Sequence, residues 1–465
     1  MSTSKSKAKI FYHDIGDYLS REEKLKKVKD FNSVSNVPWQ QLTPNEKHDW
    51  INQRDGVFDS LILIGDKDDK TNDRTFFYPV YSCGLKTQRD TWCYNSSKQY
   101  LSDNIEKSIA FYNKQRELLI QGKIDSVQYD STKFSWTRAT LNDVEKNREY
   151  NFKDGNLVNG IYRPFFKQHL FLYRPLNEMM YQIPKLFPTP SHKNLVICVS
   201  GVGVTKDFSC IITDTLPDLE LIGKSQCFPL YWYEENKKEN TQMMLFGDDS
   251  TEKYIRHDGI TDWILKEIRT RYGGAKNITK EMIFYYVYGL LHSPAYRERF
   301  SADLKKSLPR IPIVENVNEF MGFYKAGKQL AELHLNYETV PAYSGAEVEK
   351  VAKTEYGDDY EFYKVEQMRF PKKDEKGTII YNKNITIRNI PEKAYRYIVN
   401  GKSAIEWIME RYAVKIDKDS LIKNDPNDWA REHQKPRYIL DLLLSVINVS
   451  VQTVDIVEKL PKIEF

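Results

Sequence analysis

Cations alternate with aromatic side chains in one stretch of the sequence, residues 161–175. The stretch is IYRPFFKQHLFLYRP, and the triplet Tyr-Arg-Pro occurs in it twice, around Arg163 and Arg174. Guanidinium and ammonium groups held beside prolines and flat rings suit phosphate oxygens and guanine edges. A second interpretation is equally open, in which a pair of strands buries the aromatics and leaves the two arginines solvated. Arg163, Lys167 and Arg174 are therefore candidate contacts to nucleic acid.

A glycine-containing turn follows the apolar run at residues 195–199. Its sequence is SGVGVTK at 200–206, without the third glycine and the helix that a dinucleotide-binding loop needs. The favoured interpretation is a tight turn between two strands. A modified functional interpretation remains, because small residues let backbone N–H groups approach a phosphate while Lys206 neutralises its charge.

Motifs for ATP hydrolysis, methyl transfer and metal binding are missing from these residues. There is no GxxxxGK[ST] loop, no NPPY-type tetrapeptide and no strand-ending glycine motif for S-adenosylmethionine. The sequence PDLE at 217–220, with Lys224 behind it, resembles a metal-dependent nuclease site, but its spacing is too compressed. Histidines are scattered, and the cysteines have no metal-binding spacing. We predict no catalytic, cofactor or metal site and no methyl transfer by this chain alone; whether it is an enzyme stays open.

Length and charge limit the possibilities further. A chain of 465 residues predicts two or three domains or subdomains. The net charge is only +4, from 69 basic and 65 acidic residues, so a nucleic-acid footprint must be a local patch. No secretory signal is expected, and the apolar runs at 195–204, 283–291 and 439–451 are too short or interrupted to span a bilayer. The five cysteines indicate reduced thiols in the cytoplasm.

Hydrophobic periodicity, caps and turn residues predict a mixture of helices and strands. Strands are expected at 9–14, 61–64, 195–200, 208–213, 219–222, 229–233, 361–370 and 378–387. Helices are expected from Ser20, at 101–121, from Ile260 to Tyr272, from Ser293-Pro294, at 318–336, from Ser403 and after Pro436. The predicted fold class is α+β, with a β-rich part, then helical segments, then a smaller C-terminal α+β module.

Several longer strings resemble one known family. They are YRPF at 162–165, PLNE at 175–178, IPKLFP at 183–188, VSGVG at 199–203, DLELIGKSQCFPL at 218–230, YVYGLLHSP at 286–294, NGKSAIEW at 400–407 and NDPNDW at 424–429. Together they resemble the C-terminal specificity domain of type ISP restriction-modification enzymes, from about residue 132 to the end. The front is also similar: residues 10–20 resemble the closing strand of the adenine methyltransferase domain, and 84–90 resemble the segment that leads toward the specificity region.

The resemblance implies sequence-specific recognition of double-stranded DNA in a bacterial restriction-modification system. It implies a methyltransferase remnant with a helical connector at 1–130, a target-recognition domain at 131–345 and a C-terminal module of the specificity region at 346–465. Arg89 and Lys224 lie in matching segments and join the candidate DNA contacts. The expected partners are duplex DNA and a separately encoded methyltransferase or helicase-nuclease polypeptide.

Two other functions stay open at this point. One is adenine-specific DNA methylation completed by a partner chain that supplies the cofactor motifs. The other is a non-catalytic protein-interaction scaffold or the remnant of a gene. The residues do not give the recognised bases, because specificity depends on a few side chains and on DNA deformation.

Overall fold

The computed structural model describes residues 8–16, 19–236, 253–351 and 358–465. The chain forms two compact units, Met1–Ser60 and Leu61–Phe465. Helices and short strands are mixed along the chain, so the α+β class predicted from the sequence is confirmed. The subdivision predicted near residues 130 and 345 stays a prediction.

The described residues contain the following elements. The helices are α1 (Arg21–Asp30), α2 (Asp90–Cys93), α3 (Lys98–Ile120), α4 (Arg138–Glu145), α5 (Ile183–Leu186), α6 (Asp262–Arg271), α7 (Lys280–Leu290), α8 (Pro294–Arg299), α9 (Ser301–Lys306), α10 (Val317–Leu335), α11 (Asp359–Tyr363), α12 (Ala404–Arg411), α13 (Pro426–Glu432) and α14 (Tyr438–Glu458). The strands are β1 (Ile10–Tyr12), β2 (Gln40–Leu42), β3 (Ile62–Leu63), β4 (Ser82–Cys83), β5 (Tyr94–Asn95), β6 (Leu157–Arg163), β7 (Phe166–Phe171), β8 (Val196–Val199), β9 (Cys210–Thr213), β10 (Leu216–Pro217), β11 (Gln226–Pro229), β12 (Tyr231–Glu235), β13 (Tyr254–Asp258), β14 (Arg310–Ile311), β15 (Glu347–Lys350), β16 (Ile379–Ile380), β17 (Ile385–Arg388), β18 (Ile398–Val399), β19 (Lys402–Ser403), β20 (Lys415–Ile416) and β21 (Lys423–Asn424).

The first unit contains an antiparallel strand pair and one charged helix. Strand β1 pairs with β2, with Ile10 opposite Leu42. Helix α1 begins at the capping box predicted from the sequence, since the Glu23 N–H donates to Ser20 Oγ (3.2 Å) and the Ser20 N–H donates to Glu23 Oε2 (2.7 Å). No residue of α1 is buried, so this helix presents charged side chains on all faces.

The described residues of the second unit include two four-stranded sheets. The first has the strand order β10-β6-β7-β5, in which β10 is parallel to β6 and the other neighbours are antiparallel. The second has the order β4-β11-β8-β9 and is antiparallel throughout. The described residues also form smaller sheets, among them the hairpin β20-β21. The β-rich part predicted from the sequence therefore contributes strands to two separate sheets.

Helix α3 begins at a cap to which a distant part of the chain contributes. Ser97 Oγ accepts a hydrogen bond from the Tyr100 N–H (3.0 Å). Glu432, the last residue of α13, accepts from the Ser97 hydroxyl (2.6 Å) and from the Lys98 N–H (2.9 Å). A carboxylate at a helix N-terminus satisfies N–H groups that have no intrahelical partner and interacts favourably with the helix dipole. The contact joins residues 335 positions apart.

Helices α7 and α10 approach each other at a pair of glycines. A Cβ added to Gly327 would lie 1.9 Å from the Tyr285 carbonyl oxygen, and one added to Gly289 would lie 2.2 Å from the Phe323 carbonyl oxygen. Both distances are far below van der Waals contact, so the helices reach this separation only because the two side chains are absent.

Replacing Gly327 with alanine is expected to lower the free energy of unfolding by about 1–3 kcal/mol, because one helix must move away from the other. Denaturant unfolding measures this difference. Gly155→Ala is the matched control, since a Cβ there would have no neighbour within 4 Å. If the two variants were equally stable, the close approach of the helices would be refuted.

Helix α14 passes through the larger hydrophobic cluster of the second unit. Leu440, Leu443 and Ile447 on this helix are fully buried beside residues of α12 and of the second sheet. Among the described residues, α14 alone is long and apolar enough to cross a bilayer by length and composition. The helix has 21 residues and extends beyond the apolar run at 439–451 on which the sequence analysis judged its length. About 67% of its most apolar window is buried within the protein, which is typical of a core helix.

Two predicted strands are absent from the described residues. The segment 361–370 was predicted as a strand, but Asp358 caps a short helix there by accepting from the Tyr360 N–H (2.9 Å). The segment 219–222 lies in a loop between β10 and β11. Gly223 (φ +85°) and Lys224 (φ +47°) turn the chain sharply just after it, which removes the extended geometry that a strand requires.

Candidate nucleic-acid interface

The cation-aromatic stretch at 161–175 forms the strand pair β6-β7, and Arg163 stands at the end of β6. Its Nη1 donates to Asp218 Oδ1 (2.7 Å), and its Nη2 lies 3.7 Å from Asp90 Oδ2. The guanidinium also lies 3.9 Å from the ring centroid of Tyr162. Only 13% of the Arg163 side chain is exposed. Arg163 therefore connects the first sheet to the start of α2 and to the loop after β10.

Asp218, which the sequence placed in a nuclease-like motif, is the buried partner of this arginine. Burial raises the pKa of Asp218 to about 7, and the Arg163 guanidinium acts in the opposite direction. The same oxygen, Oδ1, also accepts from the Glu220 N–H (2.8 Å), so it is engaged within the fold. Lys224 is directed elsewhere, with its Nζ 3.4 Å from the Gly203 carbonyl oxygen. The arrangement is that of a structural ion pair.

Two more of the predicted cations have partners within the fold. Arg89 is buried and donates to the Leu176 carbonyl (2.7 Å) and to Thr137 Oγ1 (3.0 Å). Lys167 donates to Glu338 Oε2 (2.8 Å) at a side-chain exposure of 19%. These contacts join α4 and the end of α10 to the sheet segment. Contact of Arg89, Lys167 and Arg163 with DNA stays a prediction. Each of these three side chains also has partners within the fold.

Arg174 differs from those three because it is exposed. Its Nη1 donates to the carbonyl oxygens of Asn177 and Glu178, each at 3.2 Å. In the described part of the chain its guanidinium has no carboxylate within ion-pair distance. The carbonyl contacts hold its position, and its charge remains available to an anion in solution.

Three turns meet around the predicted glycine loop, and we call residues 201–206, 223–224 and 400–401 the triple-turn surface. The Gly201 N–H donates to the Gly223 carbonyl (3.0 Å), and a Cβ at Gly201 would lie 2.3 Å from the Lys224 carbonyl oxygen. A Cβ at Gly401 would lie 3.0 Å from Lys206 Cδ, so the lysine stem lies across the third turn. Glycine is therefore required for these turns to pack together.

Lys206 and Lys224 project from the triple-turn surface into solvent. An ion pair on its border joins Lys305 and Asp207 (2.9 Å). Among the described residues, no carboxylate lies within ion-pair distance of the Lys224 ammonium, whose contact is a backbone carbonyl. The sequence predicted Lys206 and Lys224 as separate DNA contacts. The structure brings them together on one surface with the turn at 400–401, which the sequence did not connect to either lysine.

A cleft that sequence analysis did not predict lies between the first sheet and the hairpin β20-β21. It has a volume of about 450 Å³. The hairpin is held over the sheet by hydrogen bonds from Asn95 Nδ2 to the Lys423 carbonyl (3.0 Å) and from the Ser96 N–H to Asn424 Oδ1 (3.1 Å). We call this space the hairpin cleft. Its lining residues include Tyr94, Tyr162, Phe166, Gln168, Arg411, Lys415 and Ile422.

Polar atoms in the hairpin cleft lack protein partners. Tyr94 Oη, Gln168 Oε1 and Arg411 Nε are all buried without a hydrogen-bond partner. Burial lowers the pKa of Lys415, and the nearby Arg411 charge adds to the shift. Gln168 lies in the cation-aromatic stretch at 161–175, but the sequence did not connect it to the hairpin, because more than 200 positions separate the two.

The described residues contain no group of three or more His, Cys, Asp or Glu side chains that could hold a metal ion. The cysteines are free thiols, and four of the five are buried.

Comparison with known proteins places these features in a family. The family model for the type ISP C-terminal specificity domain matches residues 76–442. A search of the curated proteins found no match.

Solved structures match over nearly the whole chain. A nuclease-deletion mutant of the type ISP restriction-modification enzyme LlaGI, in complex with a DNA substrate mimic, is 38% identical, with a TM-score of 0.80 over 98% of this chain and 39% of that chain. The ATP-dependent type ISP restriction-modification enzyme LlaBIII bound to DNA is 38% identical, with a TM-score of 0.81 over 98% of this chain and 28% of that chain. A DrdV–DNA complex is 30% identical, with a TM-score of 0.78 over 98% and 44%.

The chain spans less than half the length of each of these three proteins. The resemblance inferred from the strings between residues 162 and 429 is confirmed by the family match and by these structures. This chain belongs to the type ISP C-terminal specificity domain family.

Proposed function

We propose that this chain recognises a specific double-stranded DNA sequence as the specificity part of a type ISP restriction-modification system. The observation that supports it most is the family match at 76–442, together with 38% identity to two type ISP enzymes whose structures contain DNA or a DNA mimic. In such a role, phosphate contacts set the position on the duplex and side chains at base edges carry the specificity.

The triple-turn surface is the proposed phosphate-binding part of this interface. Lys206 and Lys224 extend from turns whose glycines allow the turns to pack closely, so the two exposed lysines stand on neighbouring turns. Neighbouring exposed lysines are suited to the DNA backbone, because their charges neutralise phosphates. Arg174, with its guanidinium positioned by two carbonyls, is a further proposed contact.

Arg163, Lys167 and Arg89 support this function from inside the fold. Their charges are engaged by Asp218, Glu338 and backbone carbonyls, so their main proposed contribution is to fix the strands that carry the exposed residues. Direct contact with DNA by any of the three is a weaker proposal.

Methyl transfer and ATP hydrolysis would depend on residues outside these 465 positions, in the same or a separate polypeptide. The sequence carries none of the phosphate-loop or adenine-gripping motifs on which such chemistry depends. We place the protein in the cytoplasm with its DNA, which agrees with five free cysteines.

Selection of bound duplexes from a random-sequence pool tests the proposed function. Sequencing after several rounds is expected to show one enriched asymmetric motif. Retention of DNA without any enriched motif would refute sequence recognition, and failure to retain any duplex would refute DNA binding.

Removing Lys224 is expected to weaken binding to all duplex sequences and to lower the salt slope of the association constant by about one. Lys206→Ala is expected to act in the same way. Fluorescence anisotropy titrations at several salt concentrations provide the slopes. Lys114→Ala is the matched control, since Lys114 is an exposed lysine on α3 outside the triple-turn surface. Slopes that match the wild type in both test variants would place the phosphate contacts on another surface.

A further inference from the structure

The hairpin cleft has features of a binding site that the family match does not explain. Tyr94 is 2% exposed and Gln168 is 0% exposed, yet the Tyr94 hydroxyl and the Gln168 carbonyl oxygen have no hydrogen-bond partner in the described structure. Both residues line the cleft. Leaving such groups unpaired is unfavourable by about 1–3 kcal/mol each, so a partner that supplies the missing hydrogen bonds is strongly favoured.

The floor of the cleft is built by the first sheet. On β7, Phe166 and Gln168 point to the same face, since side chains alternate along a strand. Gly160 on β6 lies directly opposite Gln168, and a Cβ there would be 3.1 Å from the Tyr94 ring. The missing side chain lets the Tyr94 ring lie across β6, with the Tyr162 ring 4.8 Å away. Flat apolar surfaces thus surround the two unpaired polar atoms.

The charges at the cleft define the ligand further. Arg411 Nε is buried without a hydrogen-bond partner, while its Nη2 lies 2.9 Å from Glu410 Oε1; burial and then the Arg411 charge lower the pKa of Lys415. Burial keeps the Tyr94 hydroxyl protonated by raising its pKa far above the usual range, so this group is able to donate. The cleft therefore offers one acceptor, hydrogen-bond donors, aromatic walls and charges of both signs, since Asp90, Asp417 and Asp419 line it beside Arg411, Lys415 and Lys418. An aromatic heterocycle with donor and acceptor groups on its edge meets the requirements set by the two unpaired polar atoms and the aromatic walls.

We propose that the hairpin cleft receives one unpaired base of the bound DNA, with Gln168 Oε1 accepting from an exocyclic amino group and Tyr94 donating to a neighbouring acceptor. Adenine and cytosine carry that combination. The volume of about 450 Å³ lies in the range of small-molecule sites. This inference rests on the proposed DNA-binding function and adds a base-binding site to it.

The hairpin carries exposed apolar side chains suited to separating a base from its stack, so that the base can enter the cleft. Its outer residues Ile416 and Leu421 are 63% and 65% exposed, although both are large and apolar. Leu421 also has a positive φ of +60°, which is unfavourable for a residue with a Cβ and therefore points to a functional constraint. Apolar side chains of this kind unstack base steps when they meet DNA.

Binding of the wild-type protein to two short duplexes, one fully paired and one with a single unpaired adenine, tests the proposal. The wild type is expected to bind the second duplex about tenfold more tightly, because the energy of unpairing has already been supplied. A third duplex with an abasic spacer in place of the unpaired adenine is expected to lose most of that gain. An equal gain with the spacer would show that the protein responds to flexible DNA and would overturn base capture.

Tyr94→Phe removes a single oxygen atom and is expected to abolish most of the preference for the unpaired adenine. Its melting temperature without DNA is expected to stay the same or rise, because the lost hydroxyl has no partner. Tyr337→Phe is the matched control: it removes a hydroxyl that is equally buried and unpaired, outside the cleft, and is expected to leave DNA preference unchanged. Gln168→Leu is a second variant for the acceptor.

The outcomes separate this inference from the proposed function. Equal affinity of the wild type for paired and unpaired duplexes would overturn base capture and leave DNA recognition intact. Binding to neither duplex would overturn both. A preference that survives unchanged in Tyr94→Phe and Gln168→Leu would also reject the cleft as the site of the base.

Discussion

Replacing Arg163 with alanine is expected to lower the free energy of unfolding by about 3–5 kcal/mol, the range for removing one partner of a buried ion pair. The reason is that Asp218 would remain buried without the 2.7 Å contact that now balances its charge. Denaturant unfolding measures the loss. Arg174→Ala, in an exposed residue of the second Tyr-Arg-Pro triplet, is the matched control and is expected to change stability by less than about 0.5 kcal/mol.

A double variant separates the structural role of Arg163 from DNA contact. Arg163→Met combined with Asp218→Asn removes both charges and is expected to recover most of the stability, since a buried pair is often replaceable as a unit. With folding restored, its salt slope for DNA is expected to match the wild type, because the wild-type guanidinium is already engaged. A slope lower by about one would show instead that Arg163 reaches a phosphate. Equal stability of Arg163→Ala and Arg174→Ala would refute the buried pair.

Two buried histidines, His292 and His334, are expected to destabilise the folded protein as the pH falls from 6.5 to 4.5, and His334 alone is expected to contribute a loss of about 2 kcal/mol in the free energy of unfolding. His292 Nδ1–H donates to the Tyr288 carbonyl (2.9 Å), and His334 lies between the Tyr288 hydroxyl (2.6 Å) and Thr453 Oγ1 (2.9 Å). Burial lowers the pKa of His334 to about 3 and that of His292 well below 6.5, and the Arg297 charge adds to both shifts.

The sign follows from proton uptake. Between the lowered pKa values and 6.5, the unfolded chain binds protons that the folded chain does not bind, so stability is complete above 6.5 and falls as the pH decreases. Unfolding curves recorded at several pH values measure this. His334→Gln removes one of the two groups, and the pH-dependent loss is expected to be smaller by about 2 kcal/mol. The same pH dependence in this variant and in the wild type would mean that His334 is protonated in the folded protein.

Local signals explain which parts of the fold the sequence predicted well. The caps at Ser20, Ser293 and Ser403 each involve residues at most three positions away, and each helix begins where the pattern indicated. The segment 361–370 was predicted wrongly, because a run of aromatic and β-favouring residues was given more weight than the N-cap at Asp358. The β-propensity of a few residues does not determine whether a helix N-cap forms beside them.

The candidate site depends on contacts between distant residues, and the sequence held less information about it. Arg163 and Asp218 are 55 positions apart, and no pattern in either segment indicates that they form a pair. The Gln168 side chain and the hairpin that faces it lie still further apart in sequence. Composition identified cations near aromatics, but only the fold distinguishes Arg163, whose charge is engaged, from Lys224, whose charge faces solvent. Family resemblance predicted the function without this distinction.

The cap that Glu432 provides for helix α3 has a consequence for synthesis of the protein. During translation, Ser97 and the first turn of α3 leave the ribosome long before Glu432 does, since the two are 335 positions apart. Until then the first N–H groups of the helix have water in place of the carboxylate, and the hairpin has not yet covered the sheet. The cap of α3 is therefore completed only after Glu432 emerges, and a ribosome that stalls before that point would expose an incompletely covered sheet to the cell's proteases.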